Sequence, residues 1–394
     1  MQPDPNTIRS PARRPRVAVI TNIIPHYRRD FYRRVFANPA FDCHVFCQGD
    51  LPGANIRTVE REFPARVTIV PALTFRNERF SWQAIPLAAI RQGFDVCFVY
   101  GNPRVLSGVV ASLFLRAQAM PIIIWGQAHS AESSPRLEAI RLAWWRRFQN
   151  IFVYNEDEVC YLRRKGFVRQ TILGMNNGLD QQRIDAAASA WTPDRLAGWR
   201  CQAGLDGKIL LLSCARLQPK NRFDLVVEAL PQLLRAEPNL VWCVLGDGPV
   251  QADLKRRSAA LDVAGAIRWV GPVYEETDLA PWFLSSTVLV HPGAIGLSLL
   301  HAFGYGLPVL THDMRSLHMP EIAALEDGTN GVLFRHDDQE GLIQSLLGIL
   351  ADPTRRTRLG AAALATARSR FNTGVMATRF AEMVRLALCG PTAP

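Results

Sequence analysis

A glycine-rich turn joins an apolar run to a short helical pattern in the stretch VLVHPGAIGLSLLHAFGYGLPVLTH (288–312). Gly293 and Gly296 lie in the turn, and His301 lies one turn into the helical pattern. The first N–H groups of a helix have no partner within it and carry a partial positive charge, so such a turn can bind an anion. The alternative is a tight connection between strand and helix in a parallel sheet.

A basic loop follows another apolar run in CARLQPKNRFDLVVEAL (214–230). Arg216 lies directly after the run, and Lys220 and Arg222 lie before the next helical pattern. Cations at the carboxyl end of a strand, beside a helix N-terminus, are well placed to hold phosphates. Lys220 and Arg222 could equally be solvated loop charges. Arg216 is the stronger candidate, because an unpaired charge next to an apolar strand is costly.

Two series of apolar runs that alternate with amphipathic stretches must position these residues. The first series extends from RVAVI (16–20) to NIFVY (150–154), and the second from KILLLSC (208–214) to LPVLTH (307–312). This alternation predicts an α/β protein with two doubly wound, mainly parallel sheets, joined near residues 176–194. Ligands of such sheets bind outside the carboxyl ends of the strands, so a cleft between the two domains is expected to hold the site.

The charge of the chain is unevenly distributed. Residues 1–200 contain 27 Lys and Arg against 16 Asp and Glu, whereas residues 201–394 contain 18 against 19. A basic half suits a polyanion or an anionic membrane surface. Arginine bias is the compositional alternative, since 41 of the 45 basic residues are arginine, but it does not explain the asymmetry.

The remaining composition narrows the class of protein. The sequence contains no run of 18 or more apolar residues, so it predicts no membrane-spanning segment. The eight scattered cysteines predict buried thiols in a reducing cytoplasm rather than disulfides or a zinc site.

One stretch, RLEAIRLAWWRRFQN (136–150), combines Arg136, Arg141, Arg146 and Arg147 with Trp144 and Trp145. It is either a basic helix lying on an anionic bilayer or a core helix whose tryptophans pack inward.

Several motifs in a fixed order resemble one family. CARLQPK, LGDGP, VGPVYEETDLAPWF, HPGAIGLSLLHAFGYGLPVLTH and MPEIAALEDGTNGVLF are similar to the C-terminal domain of the GT-B glycosyltransferases of the large retaining family 4. NNGLD (176–180) resembles the segment before the hinge, and RVAVITNIIPHYRRDFY and PIIIWGQAH have counterparts in the first half. The resemblance implies a GT-B fold, in which two Rossmann-like domains face each other across a cleft. Its implied divisions are a disordered basic tail (1–15), an acceptor-binding domain (16–180), a nucleotide-sugar-binding domain (181–372) and a helix returning to the first domain (373–394).

The resemblance also implies roles for individual residues. Arg216 with Lys220 or Arg222 would grip the donor diphosphate, and His129 would contact the sugar. The backbone of Val273 and Tyr274 would reach the base. Glu321 would contact the sugar, unless it is an ordinary N-terminal helix charge. The family's paired glutamates correspond here to Gly293 and His301, as in a branch carrying PGxxGLxxxH. The other positions implied are Gly296, Leu297 and Ser298 on the donor, and His26, Tyr27 and Arg28 on the acceptor side.

The activity implied by the resemblance is retaining transfer of a sugar from a UDP- or GDP-linked donor to a carbohydrate. A lipid-linked glycan of bacterial surface-polysaccharide assembly is the expected acceptor, at the inner face of the cytoplasmic membrane. No metal is expected, because the cleft loops carry no DxD-like carboxylate pair to hold one. No cofactor besides the nucleotide-sugar substrate and no nucleic-acid partner are expected either. The alternatives are a GT-B sugar-nucleotide epimerase and a non-catalytic partner subunit.

Overall fold

The structure is a computed structural model that describes residues 13–49, 58–76, 80–129 and 134–389. Most of the predicted tail (1–15) therefore lies outside the described residues. In the part of this tail that the structure describes, the Arg13 side chain forms an ion pair with the carboxylate of Asp95 at 2.8 Å.

The first domain is built on a seven-stranded parallel sheet. Its strands are β1 (Arg16–Ile20), β2 (Asp42–Cys47), β3 (Val67–Ile69), β6 (Val96–Tyr100), β7 (Ile122–Trp125), β8 (Asn150–Val153) and β9 (Thr171–Gly174), in the order β3-β2-β1-β6-β7-β8-β9. The strands β4 (Ala72–Phe75) and β5 (Phe80–Gln83) form a separate antiparallel hairpin. The helices are α1 (Arg29–Phe36), α2 (Leu87–Gly93), α3 (Leu106–Ala117), α4 (Pro135–Trp145) and α5 (Glu156–Arg164). The central strands are buried along their length, as expected for a parallel sheet covered on both faces.

The second domain repeats this design with a six-stranded parallel sheet of order β12-β11-β10-β13-β14-β15. Its strands are β10 (Ile209–Cys214), β11 (Leu240–Leu245), β12 (Ile267–Gly271), β13 (Val288–Val290), β14 (Val309–His312) and β15 (Gly331–Phe334). Its helices are α6 (Gln181–Ser189), α7 (Pro193–Gln202), α8 (Asp224–Ala236), α9 (Gln251–Ala260), α10 (Glu276–Ser285), α11 (Leu297–Gly304), α12 (Gln339–Ala351) and α13 (Pro353–Ser369). The predicted α/β class with two doubly wound sheets is confirmed.

The chain crosses between the domains at two adjacent segments. Leu179 pairs with Asn372 in a parallel bridge, and the Thr373 N–H donates to the carbonyl oxygen of Leu179 at 3.0 Å. Gly178 lies so close to the backbone of residues 371 and 372 that a Cβ would overlap it. After the second crossing, α14 (Thr373–Cys389) packs on the first domain, where its Phe380 ring stacks on Phe98 at 4.3 Å.

The structure adds three details to the sequence predictions. The join near 176–194 contains the helix α6. The cysteines are not all buried, since Cys160, Cys201 and Cys389 are exposed; all eight are free thiols. Finally, of the two interpretations of residues 136–150, the structure shows the one with inward tryptophans: Trp144 donates to Ser112 Oγ and Trp145 to the carbonyl oxygen of Gly101, each at 3.1 Å.

Within the described ranges, no helix is both long enough and apolar enough to cross a bilayer.

Candidate functional site

The loop after β10 and the turn before α11 pack against each other through their backbones. The N–H of Ala294 donates to the carbonyl oxygen of Lys220 at 3.0 Å. A Cβ at Gly293 would overlap that oxygen and the backbone of Asn221, so only glycine fits at this contact. The two elements that the sequence predicts to share one anion site are therefore neighbours.

The backbone of Arg216 is held in place by its surroundings. Asn221 Nδ2 donates to the Arg216 carbonyl oxygen at 2.7 Å, and the Leu217 N–H donates to Asp247 O at 2.7 Å. Gly248 approaches Leu217 so closely that no Cβ would fit, and thus the LGDGP turn braces this loop. The Arg216 side chain is exposed and makes no hydrogen bond or ion pair with the described residues. It can therefore reach a ligand from a fixed backbone.

Lys220 and Arg222 line one cavity of about 480 Å³, together with Gly293 and, from the first domain, Gln127. Arg222 is already engaged, because it forms ion pairs with Asp224 at 3.2 Å and with Asp337. These two carboxylates offset the charge of Arg222 within the protein.

Histidines that the sequence analysis did not single out line the same cavity. The rings of His312 and His318 stack at 3.9 Å. His318 Nδ1 accepts from the Ile295 N–H at 3.2 Å, and its Nε2 donates to the carbonyl oxygen of His312 at 2.9 Å. Burial lowers the pKa of His318 to about 4 and that of His312 to about 3, so both are neutral at pH 7. Their spacing in the sequence gives no signal, because β14 and the following turn bring them together.

His301 is paired with a carboxylate that the sequence analysis missed. Its Nε2 lies 3.0 Å from Oε1 of Glu276, the first residue of α10, and Tyr305 donates to the same oxygen at 2.6 Å. Burial raises the pKa of Glu276, but His301 and Tyr305 outweigh that effect and bring the pKa below its usual value. The Phe283 ring stacks on His301 at 5.3 Å. His301 is therefore oriented by its neighbours and not simply buried in the core.

A second cavity, of about 300 Å³, places His301 and Glu276 opposite the first domain. Its walls include His26 and Tyr27 from one domain and the exposed Tyr274 from the other. The preceding Val273 is partly buried against the core of the second domain. A flat ring with hydroxyl groups could thus contact an aromatic face and a fixed imidazole–carboxylate pair.

Arg28 does not face the open cleft, contrary to the acceptor-side prediction. It is only 7% exposed, and its Nη2 donates to Asn177 Oδ1 at 3.1 Å. Asn177 Nδ2 donates in turn to Oε1 of Glu321, which lies in the second domain beside Gly296. Burial raises the pKa of Glu321. This buried chain of three side chains connects the two domains.

His129 lies at a third cavity, of about 520 Å³, between the loop after β7 and residues 315–326. Its N–H and that of Ala128 donate to Glu158 Oε1 at 3.3 and 2.8 Å. Desolvation raises the pKa of Glu158 to about 7 despite these hydrogen bonds. Asn155, just before α5, connects this part of the first domain to the second domain, since its Nδ2 donates to the Pro320 carbonyl oxygen at 2.6 Å.

Eight of the predicted residues thus line three cavities between the domains, whereas Arg216 lines none of these three and Arg28 is buried. In the sequence, the α11 tip, formed by Gly296, Leu297 and Ser298, lies between Gly293, which lines the cavity at Lys220, and His301, which lines the second cavity. Among the described residues, no group of three or more His, Cys, Asp or Glu side chains has the arrangement of a metal site.

The architecture is the GT-B fold. The structure of Anabaena HepE in complex with UDP superposes with a TM-score of 0.71 at 16% identity, covering 94% of this chain and 99% of that one. Sucrose-phosphate synthase from Thermosynechococcus elongatus gives a TM-score of 0.66 at 16% identity, with 96% and 100% covered.

The sequence of the second domain shows a further similarity. Residues 199–366 match the model of the glycosyl transferases group 1, so this part of the chain is similar to that family. A GDP-mannose-dependent monoacylated alpha-(1-6)-phosphatidylinositol monomannoside mannosyltransferase from Corynebacterium glutamicum is 24% identical over 217 residues, 53% of this chain and 55% of that protein. A D-inositol 3-phosphate glycosyltransferase from Streptomyces avermitilis is 32% identical over 184 residues, 43% and 38% respectively. The chain spans about half the length of the curated relatives it matches, or less.

Proposed function

We propose that this protein is a glycosyltransferase that moves a sugar from a nucleoside diphosphate donor to a carbohydrate acceptor. The observation that carries the proposal is the backbone contact between Lys220 and Ala294, which puts the basic loop of Arg216, Lys220 and Arg222 beside the turn before α11, at a cavity that also reaches Gln127 of the first domain. The family of the second domain supports it, as do relatives named as GDP-mannose-dependent mannosyltransferases.

The charge that develops during transfer explains this arrangement. When the glycosidic bond breaks, the departing nucleoside diphosphate gains negative charge. The N–H groups of Leu297 and Ser298, and the backbone that carries Arg216 and Lys220, are held in place before the reaction begins, so stabilising that charge requires only the two side chains to adjust. One well-placed donor of this kind contributes roughly 3 kcal/mol to the transition state.

In this proposal the donor extends across the α11 tip. The nucleoside occupies the 300 Å³ cavity, with the base at Tyr274 and the ribose at His301 and Glu276. The sugar occupies the 480 Å³ cavity, where Gly293 leaves room and the side-chain amide of Gln127 can exchange hydrogen bonds with hydroxyl groups. His129, in the adjoining 520 Å³ cavity, contacts the sugar or the incoming acceptor.

The finer features of the activity are part of the proposal. Transfer retains the anomeric configuration and needs no metal. The acceptor is a lipid-linked glycan of surface-polysaccharide assembly, reached at the inner face of the cytoplasmic membrane. Relatives whose names specify phosphatidylinositol mannosides support a lipid-linked acceptor.

Nucleotide binding tests the central claim. A thermal-shift screen over UDP-, GDP- and dTDP-sugars selects the donor, and calorimetry then compares wild type with Arg216→Ala. We expect Arg216→Ala to weaken binding at least tenfold, about 1.4 kcal/mol. The matched control is Arg256→Ala, an exposed arginine on α9. Equal binding by wild type and Arg216→Ala would refute the phosphate role.

Product analysis tests the class of reaction. NMR of the product's anomeric proton should show the configuration of the donor, and EDTA should leave the rate unchanged. Conversion of the donor to an epimer in the absence of acceptor would instead identify an epimerase.

A further inference from the structure

The first domain carries an apolar surface that faces away from its core. One part is the outer side of the β4–β5 hairpin, where Leu73 lies opposite Trp82 and Phe75 lies opposite Phe80. Leu73 is 72% exposed and Trp82 is 43% exposed. The rings of Phe75 and Phe80 stack at 6.1 Å. The hairpin thus presents four apolar side chains on one side.

The hairpin is held in this orientation by its other side. The Gln83 N–H donates to Ser107 Oγ at 2.9 Å, and its buried side chain donates to the Thr21 carbonyl oxygen at 2.9 Å. The Ser81 N–H donates to the carbonyl oxygen of Arg104 at 3.0 Å. Because the polar side is the one bonded to the domain, the apolar side must face outward.

The neighbouring helix α3 adds a second exposed apolar row. Val110, Leu113 and Phe114 are exposed, at helical spacings of three and four residues. The opposite side of α3, including Ala111 and Leu115, is packed into the core. A helix that is apolar on both sides is normally covered on both sides. We call the outer hairpin side and this row together the apolar face.

The charges around the apolar face are positive. Arg76 follows β4, Arg104 contacts the hairpin through its backbone, and Arg116 lies on α3; all three are exposed. Between residues 72 and 129, the stretch that contains the hairpin and α3, the sequence has five arginines and two acidic residues, Glu78 and Asp95. Asp95 is bonded to Arg13 at 2.8 Å and to the Arg16 N–H at 2.7 Å. An apolar, aromatic surface with a basic rim is complementary to an anionic bilayer. A second copy of this chain is a less suitable partner for the apolar face, because the arginines of the two copies would meet across a twofold contact.

We propose that the apolar face inserts shallowly into the interface of an anionic membrane, with Leu73, Trp82 and Phe114 among the apolar chains and the arginines at the phosphate level. The proposal rests on the proposed function, which includes a membrane contact. It places that contact on the hairpin and α3 and not on α4. Its test requires no transfer activity, so the two proposals can fail separately.

Flotation of the full chain with vesicles tests this assignment. Vesicles of 30% phosphatidylglycerol and 70% phosphatidylcholine are compared with vesicles of phosphatidylcholine alone. We expect wild type to float with the anionic vesicles, and the double variant Leu73→Ser, Trp82→Ser to show at least tenfold less bound protein. Phe114→Ser should show an intermediate loss. Unchanged circular dichroism and thermal midpoint of each variant verify folding.

Matched controls separate this surface from others. Leu261→Ser alters an exposed apolar residue at the end of α9, and Ile140→Ser alters one on α4; both should float like wild type. No flotation of wild type, equal flotation of the double variant, or loss with Ile140→Ser instead would overturn the proposal. A wild-type dimer that becomes monomeric in the double variant, without flotation, would also overturn it and identify a second copy as the partner.

Discussion

His301 Nε2 lies 3.0 Å from Glu276 Oε1, so a carboxylate at the start of α10 orients an imidazole on α11. In the proposed donor site this pair faces the ribose. We expect Glu276→Ala to weaken nucleotide binding about tenfold, which corresponds to about 1.4 kcal/mol. Tyr305→Phe removes another hydrogen bond to the same carboxylate without altering a residue of the 300 Å³ cavity, and should bind within about twofold of wild type. Calorimetric titration measures both, and equal losses would count against a ribose contact.

Gly293 is required by the contact between the β10 loop and the turn before α11. We expect Gly293→Ala to cost at least about 2 kcal/mol of unfolding free energy, because the added methyl group overlaps backbone that cannot rotate away. Gly198→Ala on α7 is the matched control: its methyl group meets nothing within 4 Å, and alanine favours the helix by up to about 1 kcal/mol. Urea unfolding distinguishes the two. A Gly293→Ala protein as stable as wild type would show that the loops are not tightly packed.

Acid should destabilise the second domain through its buried histidines. Burial lowers the pKa of His291 to about 3, and neither ring nitrogen makes a hydrogen bond with the described residues. As the pH falls, His291 binds a proton in the unfolded chain before it does so in the folded protein. The free energy of unfolding is therefore highest above pH 6.5 and decreases as the pH falls toward 3. The substitution His291→Leu removes one group that binds a proton in this way. Its unfolding free energy should therefore fall less steeply than that of wild type between pH 6 and 4, by about 1.4 kcal/mol per pH unit. Urea unfolding across this range measures the slopes, with pH 8 as the reference for packing alone; parallel profiles would contradict the assignment.

The buried chain Arg28–Asn177–Glu321 should behave as one unit. Arg28→Met leaves the Glu321 carboxyl and Asn177 Oδ1 without the cation, and we expect a cost of about 3 kcal/mol in unfolding free energy. Glu321→Gln keeps an acceptor for Asn177 Nδ2 and should cost less. Because the two residues are coupled, the double variant should lose about 1 kcal/mol less than the sum of the single variants.

The matched control for this cycle is Arg29→Met, whose exposed ion pair with Glu62 should matter by no more than about 0.5 kcal/mol. Urea unfolding of the four proteins gives the coupling, and strict additivity would show that Arg28 and Glu321 act independently.

The sheets could be predicted from the sequence because parallel strands buried on both faces are continuous apolar runs. RVAVI at 16–20 is identical to β1, and DVCFVY at 95–100 contains β6. The hairpin could not be predicted in this way. Residues 80–83 alternate apolar and polar side chains, but the apolar ones face outward and not into the core, so they form no continuous apolar run.

The site was predictable only in its local parts. The glycine turn and the basic loop each have a sequence signature, and their strands place them side by side. The partners that complete the site have none. Glu276 meets His301 because α10 and α11 pack together, and Arg28 becomes buried because Asn177 and Glu321 close over it from separate segments.

The return of α14 to the first domain makes that domain discontinuous in sequence. Phe98, in the middle of its sheet, is covered by Phe380, which is nearly three hundred residues further along the chain. During synthesis, the first half therefore leaves the ribosome with part of its core uncovered until the last helix emerges. Expression of residues 16–180 alone should give an aggregating fragment, and a fusion that joins this segment directly to 373–389 should be the shortest form of the domain to stay in solution.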